Sequence, residues 1–168
     1  IMIGTIIAVI LFILAIGYIL LQRKARYLAN QQKDAFHNMD VFLFKRAELV
    51  PQLVVSVKGY ADHEAKTLMD SVINRQKLKN PTAIIEAEKS IDQQLQHISI
   101  LKESHPDLKA SDNFMRLQKQ LVEIEDELER SRTYYNATVK HYNTFGESFP
   151  GSLFQKPLGF KRSIYYQK

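Results

Sequence analysis

The chain has 168 residues, a formal net charge of +5 and no cysteine, so disulfide scaffolds, thiolate metal sites and cysteine nucleophiles are excluded. Six Gly and five Pro are too few for a linker-rich or collagen-like chain, and the 147 residues beyond the first 21 suit one domain of ordinary size. The charge excess sits at two flanks: Arg23, Lys24 and Arg26 follow an apolar run, and Lys156, Lys161, Arg162 and Lys168 lie in the C-terminal tail. The remaining 16 basic residues are outnumbered by the 18 acidic ones. Nucleic-acid binding needs basic side chains gathered on one face of the folded body, so no nucleic-acid partner is expected.

The first element is Ile1 to Leu21, which contains no charged residue and holds 14 Ile, Leu, Val or Phe. As a helix rising 1.5 Å per residue it spans roughly 31 Å, which matches a hydrocarbon core of about 30 Å. Its apolar side chains favour insertion by about 4 to 8 kcal/mol, taking helix-centre values as an upper limit. A cleavable signal peptide has a shorter apolar core followed by a small-x-small site, and Gly17-Tyr18-Ile19-Leu20-Leu21-Gln22 lacks that site. The segment is therefore expected to be a retained transmembrane anchor. Arg23, Lys24 and Arg26 place its C-terminal end in the cytoplasm by the positive-inside rule. The expected location is a bacterial inner (plasma) membrane, crossed once.

Beyond the anchor, residues 22–149 read as helical bundle and 150–168 as a basic-aromatic tail. The stretch from Gln22 to Lys79 carries an apolar stripe of Leu28, Ala35, Met39, Phe42, Leu49, Leu53, Val57, Tyr60 and Leu68. Pro51 interrupts it, and a mid-helix Pro costs about 3 kcal/mol. No Gly, Asn or Ser beside Pro51 supplies a chain-reversing turn, and the stripe continues past it, so the residues themselves predict a kink. The second stretch follows Pro81, with a stripe of Ile84, Ala87, Ile91, Leu95, Ile98 and Leu101. Ser104-His105-Pro106-Asp107 reads as a loop. The third is the longest. From Phe114 to Phe149, steps of three and four residues pass through Leu117, Leu121, Ile124, Leu128, Ser131, Tyr135, Thr138, Tyr142 and Phe145. This is one buried stripe at near-heptad spacing, capped by Ser111 or Asp112.

Three ordered blocks resemble the LemA family: Lys45-Arg46-Ala47-Glu48-Leu49-Val50-Pro51-Gln52-Leu53 with Val57-Lys58-Gly59-Tyr60-Ala61-Asp62-His63-Glu64; Pro106-Asp107-Leu108-Lys109-Ala110 with Phe114 and Leu117-Gln118; and Arg132 with Tyr134-Tyr135-Asn136, Tyr142-Asn143, Phe149-Pro150-Gly151 and Gly159-Phe160. Gln52 and Asp126 depart from the family's usual Asn. The resemblance covers about residues 34–166. It implies an all-α fold, an N-terminal transmembrane helix followed by an antiparallel up-and-down four-helix bundle, with the chain reversing near Pro51. The residues alone give three long helices, the first kinked at Pro51. The family has no established catalytic residues, so no enzymatic activity and no cofactor are expected.

Individual residues sharpen this. His63-Glu64 lacks the second His, four residues on, that a zinc protease helix needs, because position 67 is Thr. Arg46 falls in step with Phe42 and Leu49, and Glu64 with Tyr60. A charge at an inward position needs a partner, so Arg46 or Lys45 pairs with Glu64 or another inward carboxylate, unless the side chains snorkel to the surface. In the tail, Phe154, Phe160, Tyr165 and Tyr166 alternate with Lys156, Lys161, Arg162 and Lys168. Together with Arg23, Lys24 and Arg26, the tail residues up to Tyr166 are candidate contacts with the membrane interface. The alternative is that the aromatics fold the tail onto the bundle. The function expected is a membrane-tethered helical interaction or scaffold module that contacts lipid and self-associates. The alternative is an accessory subunit of a membrane enzyme or transporter.

Overall fold

A computed structural model describes residues 2–58 and 81–167; at Lys58, residues 81–87, Phe154 and Leu158 it describes the backbone alone. Among these residues there are three long helices, α1 (Met2–Lys58), α2 (Pro81–Ser104) and α3 (Asp112–Glu147), and no strand. Single helical turns occupy Pro106–Lys109, Gly151–Phe154 and Gln155–Leu158.

α1 is 57 residues long and contains Pro51 within it. The chain therefore does not reverse at Pro51, contrary to the position the family resemblance implies for the first turn. The physical reason is packing. Leu49, Val50, Leu53, Val54 and Val57 are all buried around the Pro, and burying side chains of this size contributes about 1.5–3 kcal/mol each. That outweighs the cost of one missing hydrogen bond and a crowded turn.

Two compact units divide the chain. The first comprises residues 1–37 and 134–165. Its apolar N-terminal stretch has a mean hydropathy of 2.8 and no buried residue, and it is long and apolar enough to cross a membrane. Beyond it, Ala35, Tyr135, Thr138, Val139 and Asn143 are buried. The rings of Phe36 and Tyr135 meet edge-on at 5.7 Å.

The second unit comprises residues 38–133 and 166–168. Its core is one cluster drawn from all three helices and the connection: Leu49, Val50, Leu53, Val54 and Val57 of α1, Ile91, Ile98 and Leu101 of α2, Leu108, and Phe114 and Leu117 of α3. The turn at Pro106 folds Leu108 inward, and Ser111 Oγ accepts the Phe114 N–H at 3.5 Å at the start of α3. The stripe read for α3 is buried or half-buried from Phe114 to Phe145. Phe149, beyond the helix end, is instead 80% exposed.

Candidate functional site

The second unit buries charge as well as apolar surface. Arg46 projects from α1 with only 2% of its surface exposed. Its Nη1 donates to Glu88 Oε2 at 2.8 Å and its Nη2 to Asp92 Oδ1 at 2.5 Å, both on α2. Its Nε faces Glu125 Oε1 on α3 as an ion pair. One planar fork thus ties three helices, a geometry that a lysine ammonium does not supply. Glu88 also accepts from Arg132 Nη2 of α3 at 2.9 Å, and the Arg132 guanidinium lies 5.3 Å from the centre of the Tyr166 ring.

The electrostatics follow from this packing. Burial by itself lowers the pKa of Arg46, but the hydrogen bond to Asp92 and the charges of Glu88, Glu125 and Asp92 raise it above its ordinary value, so the guanidinium stays charged at every physiological pH. Tyr166 is pushed up, first by burial and then by the charge of Glu88, with Arg132 opposing. Glu88 and Arg132 are nearly closed to solvent, whereas Asp92 and Glu125 keep about a third of their side chains exposed. Among the described residues, no group of three or more His, Asp or Glu has the arrangement of a metal site.

The sequence expectation pairs Arg46 or Lys45 with Glu64 or another inward carboxylate. The described partners of Arg46 are Glu88, Asp92 and Glu125; Glu64 lies outside the described residues. Sequence reading missed all three, and Arg132 as well. A heptad count along α2 contained the signal, because Glu88 lies between Ile84 and Ile91 at steps of four and three.

The candidate interface residues take two courses. Arg23, Lys24, Arg26, Lys156, Lys161 and Arg162 are exposed, and Arg162 pairs with Glu147 at 3.3 Å. The tail aromatics instead pack on helices. Phe160 stacks on Tyr142 at 5.1 Å. Ser163 exchanges hydrogen bonds with the Asn143 side chain at 2.8 and 2.9 Å, and its Oγ donates to Gln32 at 2.8 Å. Tyr135 donates to the Ile164 carbonyl at 3.1 Å. Tyr165 is half-buried, and Tyr166 is only 6% exposed, in the second unit. The side chain of Phe154 lies outside the described set.

These elements define an all-helical protein whose first helix is long and apolar enough to cross a membrane. The chain belongs to the LemA family, whose profile matches residues 35–168. It is 26% identical over 155 residues to the protein LemA of Metamycoplasma hominis, an alignment covering 87% of this chain and 68% of that protein. It is also similar to the magnetosome proteins MamQ 2 and MamQ 1 of Paramagnetospirillum magneticum, at 28% identity over 86 residues in each case. Those alignments cover 51% of this chain and 32% of each relative.

Proposed function

We propose that this protein is a non-enzymatic, membrane-tethered helical scaffold that self-associates. Its N-terminal helix spans the inner membrane once, and its helical body lies on the cytoplasmic side. The body is an antiparallel four-helix bundle. The observation that carries self-association is a stripe on α1 that stays exposed among the described residues: Val41, Phe44 (49% exposed) and Val55 (56% exposed). They recur at helical spacing on one face, opposite the buried stripe of Met39, Leu43, Val50 and Val57. An anchor confines copies to two dimensions with the same polarity, so identical stripes meet at the same height. The buried Arg46 cluster holds α1 in one register, which keeps the stripe on the outside.

The test is the mass of the full chain in nanodiscs and in detergent, by light scattering, alongside Phe44→Glu. A defined oligomer that dissociates in Phe44→Glu supports the proposal, whereas a monomer at all concentrations removes it. Orientation is read separately, from Ser99→Cys in intact cells treated with a membrane-impermeant maleimide. Labelling only after lysis supports a cytoplasmic body, and labelling of intact cells reverses the orientation.

A further inference from the structure

In the first unit, the chain beyond α3 comes down beside the apolar segment of α1. Lys24 Nζ lies 5.6 Å from the centre of the Phe145 ring, two residues before the end of α3. Pro150, just past that end, shares the wall of a cleft of about 440 Å³ with Ile13, Leu14, Gly17, Tyr18, Leu20, Leu21 and Lys24. The turn at 149–153 therefore lies alongside the last turns of the apolar segment. It leaves Phe149 and Leu153 80% and 69% exposed there, in surroundings where water-facing apolar residues of that size are costly and lipid-facing ones are not.

We infer that this cleft is a binding site for one anionic phospholipid of the bilayer. The inference rests on the reading of the N-terminal helix as a membrane span. An acyl chain lies against Ile13, Leu14, Gly17 and Leu21 under the Pro150 turn, and its phosphate meets Lys24 at the rim. Three features select this occupant. The lining is apolar along the span and gains a cation only at the end where the span meets water. That is the order of groups along a phospholipid, with Arg23 and Arg26 exposed on either side of Lys24 to favour a negative headgroup. Gly17 supplies the depth, because a Cβ there meets nothing within 4 Å. A second copy of the chain fits less well. Packed into the cleft itself, it would set its own Arg23, Lys24 and Arg26 directly against Lys24 at the rim, and like charges repel.

The test uses the full chain in detergent micelles, titrated with dioleoyl phosphatidylglycerol and with dioleoyl phosphatidylcholine, with adducts counted by native mass spectrometry. One phosphatidylglycerol adduct is expected to outlast all others on activation. It binds about fivefold more tightly than phosphatidylcholine, the ratio that one cation beside an anionic lipid contributes. Gly17→Phe fills the cleft and abolishes the adduct, and Lys24→Gln removes the preference for phosphatidylglycerol. Gly4→Phe, at a position equally open but outside the cleft, leaves it intact and controls for folding. Binding of glycerol phosphate alone with equal affinity would make the site one for free anions and overturn the inference, as would an adduct that survives Gly17→Phe. Extraction of the protein from membranes by alkaline carbonate removes the anchor reading and this site together. Resistance to carbonate with no distinctive adduct removes the site alone.

Discussion

Arg46 of α1 and Glu88 of α2 meet at 2.8 Å with 3% of each side chain exposed, so a full ion pair sits inside the helical body. Such a pair is a poor source of net stability, because desolvating both charges costs about as much as their attraction returns. Breaking it is a different matter. Arg46→Met takes a guanidinium away from the buried Glu88 and strips Asp92 and Glu125 of the fork that ties them to α1. The expected loss is about 3–5 kcal/mol in denaturant unfolding of the full chain in micelles. Arg46→Lys recovers only part of it, since an ammonium cannot address three carboxylates in one plane. In a double-mutant cycle with Glu88→Leu, the coupling is expected to exceed about 1 kcal/mol. Simple additivity of the two single costs is the result that disposes of the register lock.

Tyr166 gives the cluster an alkaline edge. Its folded pKa is raised, by burial first and by Glu88 second, above an unfolded value of about 10. A raised pKa means that the folded state holds the proton more tightly. The associated stability is complete below pH about 10 and is lost as the pH rises from there through the folded value. Up to about 1.4 kcal/mol per pH unit is at stake over that interval. The chain holds seven other tyrosines, so the measurement is the difference between the wild type and Tyr166→Phe. The wild type should lose stability more steeply with pH. Parallel curves would show that the Tyr166 hydroxyl is free to ionise.

Pro51 tests whether α1 is held by packing. The helix runs through it, so Pro51→Ala restores one backbone hydrogen bond and relieves the crowding against the preceding turn. With Leu49, Val50, Leu53 and Val54 unchanged around it, the variant should keep its helix content and gain up to about 3 kcal/mol. A loss of stability would mean that the proline sets the local path of the chain.

How far the sequence disclosed this arrangement depends on how far each signal repeats. The α3 stripe was legible from Phe114 to Phe145 because ten positions in one heptad-like series reinforce one another. Pro51 was harder. Its residues argued for a kink without reversal, the family resemblance argued for a reversal, and α1 runs through Pro51 to Lys58. The charge cluster was half legible. Arg46 stood out because its own helix buries the positions on either side of it in register, but nothing within α1 names a partner. Glu88, Asp92 and Glu125 lie 42 to 79 positions further along the chain, and periodicity carries no information across that separation. The tail shows the same limit. Alternating aromatics and cations fit both a membrane surface and a helix face, and only the partners, such as Tyr142 for Phe160 and Arg132 for Tyr166, distinguish the two.

Two glycines near the end of α3 separate a yielding contact from an unyielding one. A Cβ on Gly146 collides with the ring of Phe160, and a Cβ on Gly151 collides with the backbone carbonyl of Phe145. The ring can swing aside, at the cost of its stack on Tyr142. The carbonyl belongs to the last turns of α3 and has no such freedom. Gly146→Ala should therefore cost about 1–2 kcal/mol and Gly151→Ala rather more, about 3 kcal/mol, within the usual range for overpacking. The distinguishing measurement is rescue by a smaller, more flexible side chain. Phe160→Leu in the Gly146→Ala background should recover part of the loss, and in the Gly151→Ala background none of it. Equal rescue of both would mean that the two alanines act through the same ring, and that the close approach of residue 151 to the Phe145 backbone is not what holds the turn beside the membrane span.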